Sequence, residues 1–262
     1  MKPILNIALV QTVLVWEDAK ANRVLLEKEI RSIAKADIII LPEMFTSGFT
    51  MNAQKVAESM QGETISWLLK LSNDLQVAIC GSLAIKDDAE YFNRFVFVEP
   101  SGKITSYDKR HTFTLTGEGK VYKRGVNQII IAYKGWKICP LICYDLRFPV
   151  WARNTQDYDV LVYVANWPKE RIHAWDTLLR ARAIENMSYC VGVNRVGTDA
   201  NNLEYVGHSA VYDALGKTLL VFEAAQAKTK TIALHKTDLS EQRNKFRFLN
   251  DKDEFNLVIE TQ

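Results

Sequence analysis

The chain has 262 residues, 48% hydrophobic and 24% charged, which is an ordinary globular composition and long enough to bury a sizeable core. Its 12 glycines and 6 prolines exclude collagen-like and low-complexity architectures. With 33 basic against 31 acidic residues the formal charge is only +2, so no nucleic acid and no membrane surface is expected as a partner, and a small molecule is the default.

Met1-Lys2-Pro3 and the short apolar run 4–10 lack the long apolar core and small-residue cleavage site of a secretory leader, so the run is expected to be a first strand in a cytoplasmic protein. Residues 18–34 carry Leu26, Ile30, Ile33 and Ala34 at helical spacing behind an acidic N-cap. The continuous apolar run 37–41 reads as a buried strand, and it stops at Pro42-Glu43. A helix is expected over 64–75 and a buried strand over 76–85. Strands 92–98 and 104–107 form a hairpin around Glu99-Pro-Ser-Gly-Lys103, and 128–133 and 136–142 form another around Lys134-Gly135. Helix 150–156, strand 159–165, a long helix from about 170 to 187 and strand 189–193 continue a βαβ alternation. A last hairpin, 208–212 with 217–222, turns at 213–216 and is expected to have strand 229–234 beside it. No linker or repeat divides the chain, so one layered α/β domain over 1–262 is expected, with 246–262 either an arm docking on a partner subunit or a frayed end. No apolar run approaches the roughly 20 residues that span a bilayer.

Three reactive side chains follow the ends of three apolar runs: Glu43 in Leu41-Pro-Glu-Met-Phe45, Lys109 in Tyr107-Asp-Lys-Arg-His111, and Cys143 in Leu141-Ile-Cys-Tyr-Asp145. Layered α/β proteins place sites just beyond strand ends, so a shared pocket is expected. A thiol becomes a nucleophile when a carboxylate takes its proton, and an adjacent ammonium favours the resulting charge. The bland alternatives are a core thiol, a solvated lysine and a turn-capping glutamate. A Cys143–His111 dyad is the rival chemistry, whereas His173, His208 and His235 stand in ordinary contexts and are read as structural. Cys80, Cys139, Cys143 and Cys190 are expected to be free thiols, and the Cys139/Cys143 spacing is not that of a structural zinc pair, so no metal is expected. Nucleophile-elbow, P-loop and dinucleotide fingerprints are missing from the sequence.

The same segments, Leu41-Pro-Glu43, Tyr107-Asp-Lys109-Arg-His111 and Cys143-Tyr-Asp-Leu-Arg-Phe-Pro149, resemble in order the three signature blocks of the nitrilase superfamily of carbon-nitrogen hydrolases. Within it, Pro42-Glu-Met-Phe-Thr-Ser-Gly-Phe49, Asn166-Trp-Pro168 and Arg182-Ala-Ile-Glu-Asn186 are similar to the omega-amidase branch, and the likeness runs from residue 7 to about 255. The resemblance implies an α-β-β-α sandwich that dimerises through helices, with Glu43 as general base, Lys109 as oxyanion stabiliser and Cys143 as nucleophile. Glu118 matches a second family glutamate by its spacing from Gly125, with the role of orienting Lys109 or assisting proton transfer. The implied reaction removes the distal amide of a 2-oxo dicarboxylic acid monoamide, 2-oxoglutaramate or 2-oxosuccinamate, with no metal or organic cofactor. Other enzymes of the same scaffold, a nitrilase, a carbamoylase or an N-acyltransferase, and a non-catalytic interaction protein are the alternatives.

If the three blocks converge, Phe45, Tyr144 and Trp167 line the pocket, and Arg110, His111 and Arg147 are candidates to grip the substrate carboxylate. Asp145 and Arg147 are expected to make internal contacts that fix the Cys143 turn. Arg182 and Glu185 form an i,i+3 pair, and 112–124, with Gly117 and Gly119, is expected to be a mobile lid carrying Glu118 into the site.

Overall fold

The computed structural model describes residues 3–258 and begins with β1 (Ile4–Gln11), α1 (Ala19–Arg31), β2 (Ile38–Ile40), the one-turn α2 (Ala53–Val56), α3 (Glu63–Leu75), β3 (Ala78–Asp87), β4 (Glu90–Val98) and β5 (Ile104–Asp108). It continues with β6 (Ile131–Tyr133), β7 (Trp136–Ile142), α4 (Pro149–Ala152), β8 (Val160–Ala165), α5 (Ile172–Glu185), β9 (Tyr189–Asn194), β10 (Val196–Thr198), β11 (Glu204–Val206), β12 (Ala210–Tyr212), β13 (Thr218–Val221), β14 (Lys228–His235) and α6 (Lys236–Phe246). Asp18 caps α1 by accepting the Ala21 N–H at 2.9 Å, the role its position before the apolar stripe predicts.

Period-two alternation builds the layers. Leu5, Ile7 and Leu9 of β1 and Ile38 and Ile40 of β2 share a core with Leu141 of β7, Leu161 of β8 and Val191 of β9. The intervening Ala8, Val10 and Ile39 turn the other way, onto Leu26 and Ile30 of α1 and Leu68 and Leu71 of α3. Two six-stranded sheets, ordered β14-β1-β2-β3-β4-β5 and β13-β12-β9-β8-β7-β6, therefore face each other. The α1/α3 pair covers the first, while Trp175, Leu179 and Ala183 of α5 join the core of the second. A Cβ on Gly192 would lie 2.4 Å from Leu179 Cδ1, so a glycine in β9 is what lets α5 approach so closely. In each sheet three parallel strands, β1-β2-β3 and β7-β8-β9, form the middle, and this α-β-β-α sandwich is the architecture the resemblance implied.

Several expectations are corrected. β14 does not lie beside the β12–β13 hairpin but crosses to the other sheet and pairs antiparallel with β1, from Ile4↔His235 to Gln11↔Lys228. Alternation sets which face of a strand is buried, not which free edge it joins. The helix expected over 150–156 stops at Ala152, because Asn154 bonds the backbone of Tyr158 and Asn186 and stabilises a turn instead. The helix α6 lacks an apolar stripe, burying only Leu239, and was not expected, nor was the short β10–β11 pair. After α6 a 3-10 turn, Phe248–Asp251, leads to residues 252–258 without regular structure, while 259–262 of the proposed arm lie outside the described residues.

Candidate active site

Each expected reactive residue sits where a strand gives way to a turn. Leu41, just past β2, still donates its N–H to Cys80 O at 2.7 Å, which anchors the chain immediately before Glu43. Met44 follows in the left-handed region (φ 43°), with its N–H held by Ser82 Oγ at 2.9 Å. Past β5, Lys109 donates its N–H to Asn93 O at 3.0 Å. Cys143 ends β7 and itself adopts a left-handed φ of 44°, a cost of about 1–2 kcal/mol for a residue with a Cβ. The surroundings impose that turn. Asp145 Oδ2 accepts the Ile142 N–H (3.0 Å) and the Tyr107 hydroxyl (2.7 Å), and its Oδ1 accepts the His111 N–H (2.9 Å). Arg182 of α5 pairs with Glu185 at 3.0 Å, as its spacing predicts, but also donates to Leu146 O at 2.6 Å, tying the helix to the 3-10 turn Cys143–Arg147.

The three blocks converge. Lys109 Nζ donates to Glu43 Oε1 at 2.9 Å and to both oxygens of Glu118 at 3.0 Å, with all three residues no more than 1% exposed. Two asparagines complete the cluster. Asn93 Nδ2 donates to Glu43 Oε1 at 2.8 Å and to Glu118 Oε1 at 3.3 Å, while the Asn166 N–H donates to Glu43 Oε2 at 2.8 Å. The Phe113 N–H donates to Glu118 Oε2 at 2.6 Å, so two 3-10 turns, Thr114–Thr116 and Glu118–Lys120, deliver a fully buried Glu118 to the lysine.

Burial by itself would push the Lys109 ammonium down, but the Glu118 and Glu43 carboxylates overcome it and hold the lysine above its ordinary value. Glu118 is raised by burial and, secondarily, by Glu43, with Lys109 pulling the other way. The Cys143 thiol, hydrogen-bonded to Glu43, is raised well above its usual range, first by burial and then by the Glu43 charge, which together outweigh Lys109. The resting cluster therefore holds a protonated thiol against a carboxylate, an arrangement in which deprotonation accompanies attack rather than precedes it. Among the described residues no group of three or more His, Cys, Asp and Glu side chains is placed to hold a metal ion.

Cys143 and Lys109 open onto a pocket walled by Phe49, Phe113, Tyr144, Trp167 and Tyr205. Of the residues expected there, Tyr144, Arg147 and Trp167 line it. Phe45 does not: it is fully buried in the core between the first sheet and its helices, tilted against Trp67, because the chain reverses direction at Met44. Arg110 and His111 are also corrected, since they line a separate cavity with Phe148, Trp151 and Leu257. His111 stacks on Phe148 at 3.7 Å and pairs through Nδ1 with Asp145 at 2.8 Å, so it braces the nucleophile's turn. Asp145 makes the internal contacts expected of it, but Arg147 makes no ion pair among the described residues and lies over the Trp167 ring at 5.1 Å. His208 lies outside the pocket lining and pairs through Nδ1 with Asp176 at 3.0 Å.

Sequence reasoning passed over Asn93, the role of Asn166, Phe113 and Arg171. Asn93 left one signal, an amide beside Arg94 between the aromatic Phe92 and Phe95 of β4. Arg171, in Lys169-Glu-Arg171, looks like any solvated residue and left none.

The carbon-nitrogen hydrolase family model matches residues 6–244. The chain is 44% identical over 256 residues to the omega-amidase YafV of Escherichia coli (strain K12), covering 97% of this chain and 99% of that protein. It is 34% identical over 208 residues to the 2-oxoglutaramate amidase of Bacillus subtilis, covering 78% and 79%. A solved structure, XC1258 from Xanthomonas campestris, described as a CN-hydrolase superfamily protein with an arsenic adduct in its active site, superposes with a TM-score of 0.95 at 40% identity, covering 97% of this chain and 99% of that one. The sandwich, the strand-end cluster and these matches together place the chain in the carbon-nitrogen hydrolase family.

Proposed function

We propose that the protein is an omega-amidase, hydrolysing the distal amide of 2-oxo dicarboxylic acid monoamides such as 2-oxoglutaramate and 2-oxosuccinamate to the dicarboxylate and ammonia. The observation that carries the reading is the buried Glu43–Lys109–Glu118 cluster at hydrogen-bond distance beneath a half-buried Cys143, in a chain whose relatives are named for this activity. The Cys143 sulfur attacks the amide carbonyl as Glu43 takes its proton, and Lys109 Nζ and the Tyr144 N–H stabilise the oxyanion. Glu43 returns the proton to the nitrogen, the C–N bond breaks and ammonia leaves a thioester. Glu43 then deprotonates a water that attacks the thioester, and the departing sulfur recovers the proton. Glu118 acts through Lys109, keeping its ammonium charged and aimed.

The test is ammonia release from succinamate, 2-oxoglutaramate, neutral butyramide, a nitrile and an N-carbamoyl compound, with Cys143→Ala as the blank. Charged monoamides are expected to react far faster than butyramide, with the nitrile and the carbamoyl compound inert; equal rates on charged and neutral amides would remove the omega-amidase reading.

A cytoplasmic homodimer belongs to the same proposal. Four free cysteines suit a reducing compartment. The helical side of the second sheet carries exposed Val150 (52%), Ile184 (47%) and Leu215 (44%), and the 246–258 stretch adds Phe248 and Leu257 as apolar residues for a partner subunit. Sedimentation of wild type against Ile184→Asp tests this, with an unchanged monomeric mass in both as the refuting result.

A further inference from the structure

We propose that Arg147 and Arg171 form the subsite that holds the substrate's carboxylate, which makes this pair, rather than Arg110 or His111, the specificity determinant. The inference deepens the omega-amidase reading and rests on it for the substrate class: a short linear amide with an anionic far end.

Both arginines line the pocket that holds Cys143, and no residue lining that pocket is acidic. Neither guanidinium has a carboxylate partner among the described residues. Arg94 and Arg182, by contrast, spend their donors on Asp108 at 2.7 Å and Glu185 at 3.0 Å. Of the carboxylates around the pocket, Glu43 and Glu118 are fully buried and already committed to Lys109, and Asp199 accepts the hydroxyl of the lining residue Tyr205 at 2.9 Å.

Each of the two side chains lies over an aromatic ring. Arg147 lies over the Trp167 ring at 5.1 Å, and Arg171 over the Phe113 ring at 5.1 Å. A cation–π contact with an aromatic ring takes no carboxylate acceptor from a guanidinium, whose planar fork of N–H donors matches the two oxygens of a carboxylate. The supports are themselves fixed. Trp167 donates its indole N–H to Arg171 O at 2.8 Å, so one side chain steadies both arginines. Phe113 packs edge-on against Tyr144 at 4.9 Å while its own N–H holds Glu118, which couples the subsite to the reacting cluster. Arg147 also ends the 3-10 turn that begins at Cys143, so nucleophile and anchor share one rigid segment.

The experiment measures kcat/KM for succinamate and for butyramide in wild type, Arg147→Gln, Arg171→Gln and the corresponding lysine variants, together with competitive inhibition by glutarate. Each glutamine variant is expected to lower the succinamate-to-butyramide ratio by roughly 10- to 150-fold, the loss of one charge-assisted contact, through KM more than kcat, and to weaken glutarate inhibition in step. Lysine, which keeps charge but not the fork, is expected to recover part of the ratio. A parallel fall on both amides, or an unmoved ratio with unmoved glutarate inhibition, overturns the subsite. If the wild type prefers succinamate and the variants keep that preference, the subsite falls and the omega-amidase reading stands. If the wild type shows no preference but the variants still lose glutarate inhibition, the subsite stands and the omega-amidase reading falls.

Discussion

Replacing Glu43 by glutamine separates two effects that usually travel together. Besides the Cys143 thiol, the carboxylate takes three donors, Lys109 Nζ at 2.9 Å, Asn93 Nδ2 at 2.8 Å and the Asn166 N–H at 2.8 Å. A glutamine whose oxygen occupies the Oε1 position keeps the first two and turns its NH2 toward the Asn166 N–H, leaving one buried donor unpaired. That costs about 1–3 kcal/mol, which a fold worth about 5–15 kcal/mol survives. Turnover should fall much further, by roughly 10²- to 10⁴-fold, because the proton acceptor is gone. The Cys143 thiol should move in the opposite sense: the Glu43 charge is second only to burial in holding it protonated, so its removal lowers the thiol's pKa and increases the thiolate present at neutral pH. Glu43→Gln is thus expected to be nearly inactive as an amidase yet alkylated faster by iodoacetamide, with its alkylation-rate profile displaced to lower pH. Steady-state ammonia release and the mass-spectrometric rate of Cys143 labelling read the two effects. Slower labelling in the variant, or retained turnover, would refute the account of Glu43 as a base that also keeps the resting thiol neutral.

Other perturbations probe the rest of the cluster. Cys143→Ala and Cys143→Gly should both abolish ammonia release, and the glycine variant should be the more stable by about 1 kcal/mol in denaturant unfolding, since only glycine adopts φ 44° without a Cβ clash; equal stability would mean the turn relaxes. Lys109→Met leaves Glu43 and Glu118 buried together without their cation and should cost about 3–5 kcal/mol along with activity, a loss that an unchanged Tm would contradict. The pH trend of that variant has a definite sign. Glu118 already sits above its ordinary 4.5 and rises further without Lys109, so the folded state keeps a proton that the unfolded chain has released, and stability should decline as pH rises above 4.5, more steeply than in wild type; a flat profile would count against it. Asn93→Ala removes a donor that touches both glutamates and should lower kcat by about 5- to 150-fold, the equivalent of about 1–3 kcal/mol, whereas a normal kcat would make Asn93 merely structural.

Much of the fold is legible wherever a local pattern and a global constraint coincide. The runs that became β1, β2, β3, β8 and β9 are apolar because they are buried on both faces, and α1 and α3 show a stripe because each buries one side against a sheet. The helix α6 escaped because its only buried residue, Leu239, cannot make a stripe. Strand β14 was visible as a strand, but its partner was not, since the sequence of a strand carries no address for the edge it joins.

The sequence alone determined which chemical groups are available and that each stands at the end of a strand: Glu43 after β2, Lys109 after β5 and Cys143 after β7. Strand ends in a sandwich converge because the strands are held in register, so that ordering already implied a shared site. Only the tertiary structure decided which neighbours face it. Phe45 and Trp167 are equally aromatic and equally close to a reactive block, yet the reversal at Met44 puts one into the core and the Pro168 turn leaves the other at the pocket wall. Arg110 adjoins the reactive Lys109 in sequence but faces another cavity, while Arg171, 28 residues beyond Cys143, faces the thiol's pocket. The direction of a side chain past a strand end is set by turn dihedrals and by what packs behind it, and those depend on contacts between segments far apart in the chain.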